Sequence, residues 1–261
     1  MITGELRERL AKALFQAQEE RRQLEPLTDE RMDLTLEDAY SIQLALLSER
    51  LKQGARVVGK KLGCTNSAAQ QMLGVSEPVF GYLLDDRVVS NGAELQVERL
   101  IQPKVEGEVA FVLAKDLRGP GITRGDVIAA TGYIAPAIEI ADSRFRDWKI
   151  KLADFVSDNV SSGMFVIGDS KAPADRVDIP QAEMEMEKNG EIIARGKGDA
   201  VMGDPALGVA WLANKLAEMG AGLSAGEIIL SGSLVMPQPV SKGDRIKVTF
   251  KDFGSASVHF V

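Results

Sequence analysis

From about residue 57 to the C-terminus, short Val- and Ile-rich runs are separated by Gly, Pro, Asn and Asp, as in "EPVFGYLLDDRVVSNGAELQV". Apolar runs this short, bounded by turn formers, read as strands, and no other feature narrows the fold as far. Strands are expected near 105–113, 132–140, 163–168, 182–187, 191–195, 227–231 and 245–250, with Asn189-Gly190 in "EKNGEII" as a hairpin turn. Two helices interrupt the pattern, one near "TRGDVIAATG" and one in "DPALGVAWLANKLAEMG", where Val209, Leu212, Ala213 and Leu216 form an apolar stripe ended by Gly220. Strands at irregular spacing with few helices between them predict an α+β chain with a mixed β core, not a doubly wound sheet. Ahead of them, from about Glu5 to Arg22 and from about Leu36 to Gly54, apolar residues recur at helical spacing, with Thr35 a candidate N-cap. The expected organisation is a helical N-terminal lobe over residues 1–56 and a mixed β core over 57–261, which would carry any chemistry.

Composition removes several function classes. No uninterrupted apolar run approaches the roughly 18 to 20 residues that a membrane-spanning helix needs. The start, "MITGELRERLAKALFQAQEERRQ", mixes charge with apolar residues and has no secretory core, so a cytoplasmic protein is expected. Net charge is -7 and the basic residues are scattered, which leaves no electrostatic footprint for nucleic acid. Cys64 is the only cysteine, so neither an internal disulfide nor a thiolate zinc site is available; a small buried hydrophobe is expected there. His259 is the only histidine. A His-rich zinc site is therefore impossible, and its place between Val258 and Phe260 in an apparent closing strand favours a structural or rim role. If this is an enzyme, carboxylates, lysines, hydroxyls and a hard metal must do the work.

Carboxylates occur where they should not. In "KVEGEVAFVL", Lys104 to Leu113, strand alternation puts Glu106, Glu108 and Ala110 on one face and Val105, Gly107, Val109 and Phe111 on the other. Glu139 lies in another apolar run, "YIAPAIEIADSR", with Ile138 and Ile140 on the opposite face. One such acid is ordinarily a strand-edge charge that discourages aggregation. Three together, on neighbouring strands, can turn their oxygens to one point, and an all-oxygen site of that kind suits magnesium or manganese better than zinc. Lys60 and Lys61, after the β-like Val57-Val58, must point to opposite faces, so one is expected to face inward and the bland alternative is two surface lysines on an edge strand.

The stretches "VVGKKLGCTNSAAQQMLGV", "EPVFGYLLDD", "IQPKVEGEVAFVL", "PAIEIADSRFRDWKI", "SDNVSSG" and "ILSGSL", in this order, resemble the 2-keto-4-pentenoate hydratase and 4-oxalocrotonate decarboxylase family of the fumarylacetoacetate hydrolase superfamily. The resemblance implies a mixed β-sandwich or roll with a small helical N-terminal lobe, and a Mg2+ or Mn2+ ion held by Glu106, Glu108 and Glu139. It implies chelation of a small 2-oxo or 2-hydroxy dienoic acid, with Lys61 as the catalytic lysine, Leu62 and Gly63 offering backbone contacts, and Ser161 and Ser233 in loops that reach substrate. A homo-oligomer, and a complex with a partner hydratase or decarboxylase, are implied as well.

The resemblance divides over the reaction. Family hydratases resemble "PDFG" or "PDYG" where this chain has "EPVFG", so their aspartate position is Val79 here. A valine cannot accept a proton or orient a water, and the decarboxylase branch has an aliphatic residue there. That favours a lyase of aromatic meta-cleavage catabolism that decarboxylates 4-oxalocrotonate (2-oxo-3-hexenedioate) to 2-hydroxypenta-2,4-dienoate. "RDWKI", "SSGMFVIG" and "SGSL" look more like the hydratase branch, which would give 4-hydroxy-2-oxopentanoate. A non-catalytic partner subunit is a third reading, opposed by the presence of all three acids and Lys61.

Overall fold

A computed structural model describes residues 1–261. Seven α-helices run α1 (Gly4–Glu20), α2 (Leu27–Glu30), α3 (Leu36–Lys52), α4 (Ser67–Leu73), α5 (Arg124–Ala130), α6 (Leu152–Ser157) and α7 (Pro205–Glu218). The strands are β1 (Val57–Gly63), β2 (Val79–Leu84), β3 (Val88–Val89), β4 (Glu94–Leu95), β5 (Lys104–Leu113), β6 (Thr131–Ala141), β7 (Ser162–Ile167), β8 (Glu183–Lys188), β9 (Glu191–Lys197), β10 (Ile228–Leu230), β11 (Gln238–Pro239), β12 (Arg245–Phe250) and β13 (Gly254–Phe260). The mixed α and β architecture agrees with the expectation. Helices α2, α4 and α6 have no counterpart among the expected elements, because a helix of one or two turns is too short to show its period.

Thr35 caps α3 in a reciprocal box with Asp38, as its position predicts. Helices α1 and α3 then bury Ala11, Leu14, Ile42, Ala45 and Leu46 in a small core of their own that also takes in Phe145, from the loop after β6. The helical segment is thereby tied to the chain that follows the third acid. No helix is long and apolar enough to cross a membrane.

The larger sheet has eight strands in the order β2-β1-β10-β5-β6-β7-β3, with β11 paired to the start of β5. The smaller has five, in the order β4-β13-β12-β8-β9. One face of β5 and β6 supplies Val105, Val109, Phe111, Ile138 and Ile140 to the main core, which the smaller sheet completes with Met184, Met186, Val248 and Phe260. Gly107 permits the close approach: a Cβ there would come within 2.8 Å of Cε of Met184 and 3.3 Å of Cγ2 of Val248. His259 lies on the smaller sheet, its Nδ1 3.5 Å from Glu94. Cys64 is buried, and burial pushes its thiol up to about 11.

Candidate metal centre

The antiparallel pairing of β5 and β6 places Glu106 directly opposite Glu139 and Glu108 opposite Ala137. All three acids therefore share the face turned away from the main core. Carboxylate oxygens of Glu106, Glu108 and Glu139 lie within 4.8 Å of one another. Glu108 and Glu139 are fully buried, and Glu106 is half-buried at the opening. Beside them on this face a small apolar cluster, Leu83, Ala110, Ala137, Phe165 and Leu230, keeps the surroundings dry. Neighbouring strands and an apolar floor are what concentrate the charge.

Few protein donors answer it. The backbone N–H of Gly232 donates to Oε2 of Glu108 at 2.7 Å, while Oε1 of Glu108 and both oxygens of Glu139 accept no hydrogen bond. Gly232 has φ +103, in the left-handed region, and a Cβ there would strike Thr65, so only glycine presents its N–H at this point. Nζ of Lys61 lies 2.6 Å from Oε1 of Glu139 as an ion pair without hydrogen-bond alignment, and donates to the carbonyl of Val160 at 3.0 Å.

The electrostatics follow from burial. Burial pushes Glu108 well above the ordinary carboxylate range, and repulsion from Glu139 and Glu106 adds to it. Glu139 rises to about 7, mainly through burial, with Lys61 opposing and Glu106 reinforcing the shift. Burial also raises Glu106, against the pull of Lys61, Ser233 and Lys104. For Lys61, burial alone would favour loss of the proton, but Glu139, Glu106 and Glu108 together outweigh it and hold the ammonium above its ordinary value. Three acids share one buried lysine. Orphaned carboxylate oxygens and an excess of negative charge fit a hard divalent cation, for which an all-oxygen donor set is the suitable one.

Lys61 sits on β1 between Gly81 of β2 and Leu230 of β10. Its neighbour Lys60 is buried too, on the opposite face, with Nζ 2.7 Å from Glu227 and 5.9 Å from the centroid of the Tyr82 ring. Neither is a surface lysine. The bland reading of the pair fails because each has a carboxylate partner inside the fold.

The other expected residues scatter around Lys61. Val79 pairs with Gly63 and is fully buried, two residues from Gly81 and so on the Lys61 face. Leu62 turns its side chain into the main core. Ser233 donates to the carbonyl of Val235 at 2.6 Å. Ser161 is buried, with its hydroxyl 3.4 Å from Asp158 and not turned to the acids.

Three contributors escaped the sequence reading. Gly232 stands next to Ser233 in "SGSL", but a backbone donor has no signature beyond the glycine itself. Val160 offers its carbonyl from a turn in which Asn159, Val160 and Ser161 have φ 51, 54 and 51, a conformation unusual for any side chain and most of all for a β-branched one. Asn159 pins this turn: its Nδ2 donates to the carbonyl of Tyr82 at 2.9 Å and its Oδ1 accepts from Tyr82 N–H at 2.8 Å. The third, Arg144, serves the fold around that turn and touches none of the three glutamates: it is fully buried in "ADSR", its Nε donates to Asp158 and its Nη1 donates to the carbonyls of Asp142 and Ser162 at 2.8 and 3.0 Å.

Comparison with known proteins adds to this geometry. The family profile described as fumarylacetoacetate (FAA) hydrolase C-terminal matches residues 52–261. The chain is 48% identical to 2-hydroxyhexa-2,4-dienoate hydratase of Comamonas testosteroni over 95% of this chain and 94% of that one. It is 39% identical to 4-oxalocrotonate decarboxylase of Pseudomonas sp. (strain CF600), over 90% and 89%. Its fold superposes on that of 4-oxalocrotonate decarboxylase from Pseudomonas putida G7, complexed with magnesium and adipate, with a TM-score of 0.97 at 36% identity, covering 100% of this chain and 99% of that one.

Proposed function

The chain belongs to the fumarylacetoacetate hydrolase family, and from that footing we propose that it is a metal-dependent lyase, decarboxylating 4-oxalocrotonate to 2-hydroxypenta-2,4-dienoate. In this reading Glu106, Glu108 and Glu139 hold Mg2+ or Mn2+, and the ion supplies Lewis-acid polarisation of the 2-oxo group. Gly232 fixes Glu108 through its N–H. Lys61, held by the Val160 carbonyl and paired with Glu139, presents an ammonium beside the acids, where it steadies negative charge on the substrate oxygen and can pass it a proton. Loss of carbon dioxide leaves an electron pair delocalised onto that oxygen, and the proton it takes up yields the dienol. Backbone contacts from Leu62 and Gly63, and the hydroxyl of Ser233, complete the proposed substrate site; Ser161, its hydroxyl held against Asp158, would contribute only through the turn it belongs to.

Val79 carries the choice of reaction. It is fully buried on the face of Lys61, and it brings no group that could orient a water or accept its proton. A water-adding enzyme needs such a group; a decarboxylase is served by its absence. Hydration of 2-hydroxypenta-2,4-dienoate to 4-hydroxy-2-oxopentanoate is the second reading, favoured by 48% identity to the Comamonas hydratase against 39% to the CF600 decarboxylase. On either reading the chain is a cytoplasmic homo-oligomer that associates with its partner enzyme, a hydratase if this chain decarboxylates and a decarboxylase if it hydrates.

Incubating the purified protein with 2-oxo-3-hexenedioate and, separately, with 2-hydroxypenta-2,4-dienoate, each with magnesium, tests the proposal. Carbon dioxide from the diacid with slow hydration of the dienoate is expected. Efficient formation of 4-hydroxy-2-oxopentanoate, with no carbon dioxide from the diacid, would replace decarboxylation with hydration.

A further inference from the structure

Lys104 begins the strand that carries two of the acids, and because alternate residues share a face it stands in line with Glu106 and Glu108. Burial falls along that line: Glu108 is fully buried, whereas Glu106 and Lys104 are half-buried. The site therefore opens towards Lys104.

The Lys104 ammonium is held but not neutralised. It lies 4.3 Å from the centroid of the Trp148 ring, and no carboxylate comes within ion-pair distance of it. Trp148 is itself fixed, its indole N–H donating to the carbonyl of Gln102 at 3.0 Å from a turn with φ 57. An aromatic face restrains an ammonium while leaving its N–H donors without an acceptor. Lys60 and Lys61, by contrast, each have a carboxylate partner. Lys104 thus has spare hydrogen-bonding capacity and a positive charge beside the mouth of an acidic site.

We propose that Lys104, steadied by Trp148, forms a second subsite that binds the far carboxylate of a dianionic 2-oxo acid whose 2-oxo end lies at the three acids. Two residues of strand separate Lys104 from Glu106, roughly 7 Å along the backbone, comparable with an extended six-carbon diacid. The inference rests on the lyase reading and assigns to Lys104 the choice of a diacid over a monoacid of equal length. It also accounts for release: once carbon dioxide has left, the product no longer has the group that Lys104 holds. A half-exposed ammonium binds through a solvated ion pair, so the hold is modest and does not trap the carboxylate that must depart.

The test is calorimetric titration of the full chain, with magnesium at fixed ionic strength, using two unreactive ligands: 2-oxoadipate and 2-oxohexanoate. The native protein is expected to prefer the diacid. In Lys104→Gln the ratio of the two affinities should fall by about fivefold, the scale of an exposed ion pair, and in Lys104→Arg it should be retained. An unchanged ratio in Lys104→Gln, or equal losses for both ligands, would overturn the subsite and leave the lyase reading standing. Binding of neither ligand to the native, magnesium-loaded protein would overturn the lyase reading and the subsite with it.

Discussion

At Asp158 both carboxylate oxygens have donors inside the protein; at Glu139, equally buried, neither accepts a hydrogen bond. Arg144 gives Asp158 its Nε–H and its backbone N–H, the latter at 3.1 Å. Asp154 shows the same completeness, accepting from Thr28 N–H at 3.0 Å, the Thr28 hydroxyl at 2.6 Å and Lys151 N–H at 3.0 Å. This fold can satisfy a buried acid when the acid serves only the fold. What distinguishes the Glu106, Glu108 and Glu139 cluster is less its burial than its carboxylate oxygens without a protein donor, which is what the proposed cation site requires.

That contrast can be broken in several ways. Lys61→Ala should lower turnover by about 10²- to 10⁴-fold, the usual worth of a positioned proton-transfer group, and Lys60→Ala by far less. Equal losses in steady-state assays would erase the distinction between the two lysine faces. Val79→Asp places a carboxylate on the Lys61 face: hydration of 2-hydroxypenta-2,4-dienoate should rise and release of carbon dioxide from the diacid fall, both read from product analysis. A variant that still decarboxylates at the native rate and adds no water would show that Val79 does not select the reaction.

The satisfied cluster should respond in stability instead. Arg144→Met strands Asp158 in the interior, and the expected loss is about 3–5 kcal/mol in denaturant unfolding. A loss within error of zero would mean that Asp158 is not held by Arg144 in solution.

A smaller, pH-dependent effect separates the two clusters again. Glu139 in the folded, metal-free chain has its pKa raised to about 7 from an ordinary value of 4.5, so the folded state binds that proton more tightly than the unfolded state does. Its stabilising contribution is complete below about pH 4.5 and is lost as pH rises through about 7. In chelator, Tm should therefore fall between pH 5 and 7.5, and Glu139→Gln should flatten the fall. An equally steep decline in the variant would assign it to other groups. The smallest expected signal is at Cys64, whose thiol, pushed up to about 11 by burial, should stay unalkylated by iodoacetamide at pH 7.5 until the chain unfolds. Rapid labelling of the native protein would show that this segment opens.

The acids were legible in the sequence because charge in an alternating apolar strand contradicts its surroundings, and the contradiction identifies face as well as residue. Val79 was legible only against a family pattern. Arg144 was not, since "ADSR" reads as an ordinary polar loop and nothing local says that its guanidinium turns inward. Gly232 and the Val160 carbonyl act through backbone atoms, which no side-chain pattern encodes. Most strands could be foreseen from their composition, yet the sheet order could not: β10 enters between β1 and β5 from more than a hundred residues away and runs parallel to one and antiparallel to the other. Long-range pairing of this kind leaves no local mark.

The hairpin formed by β5 and β6 has an evolutionary consequence. Its acids sit near the open end, where Lys104 meets Ala141, while the chain reverses at the other end, beyond the pairing of Leu113 with Thr131. Five residues of strand from Glu108 to Leu113, roughly 17 Å, separate even the nearest of the acids on this strand from the connecting segment that contains α5. A lineage can lengthen, shorten or exchange that connector and inherit the same chemistry unaltered. A single residue gained or lost within either strand has no such freedom, because it would turn a glutamate into the hydrophobic interior. Indels accepted in the connector and excluded from the strands are the inheritance pattern this arrangement imposes.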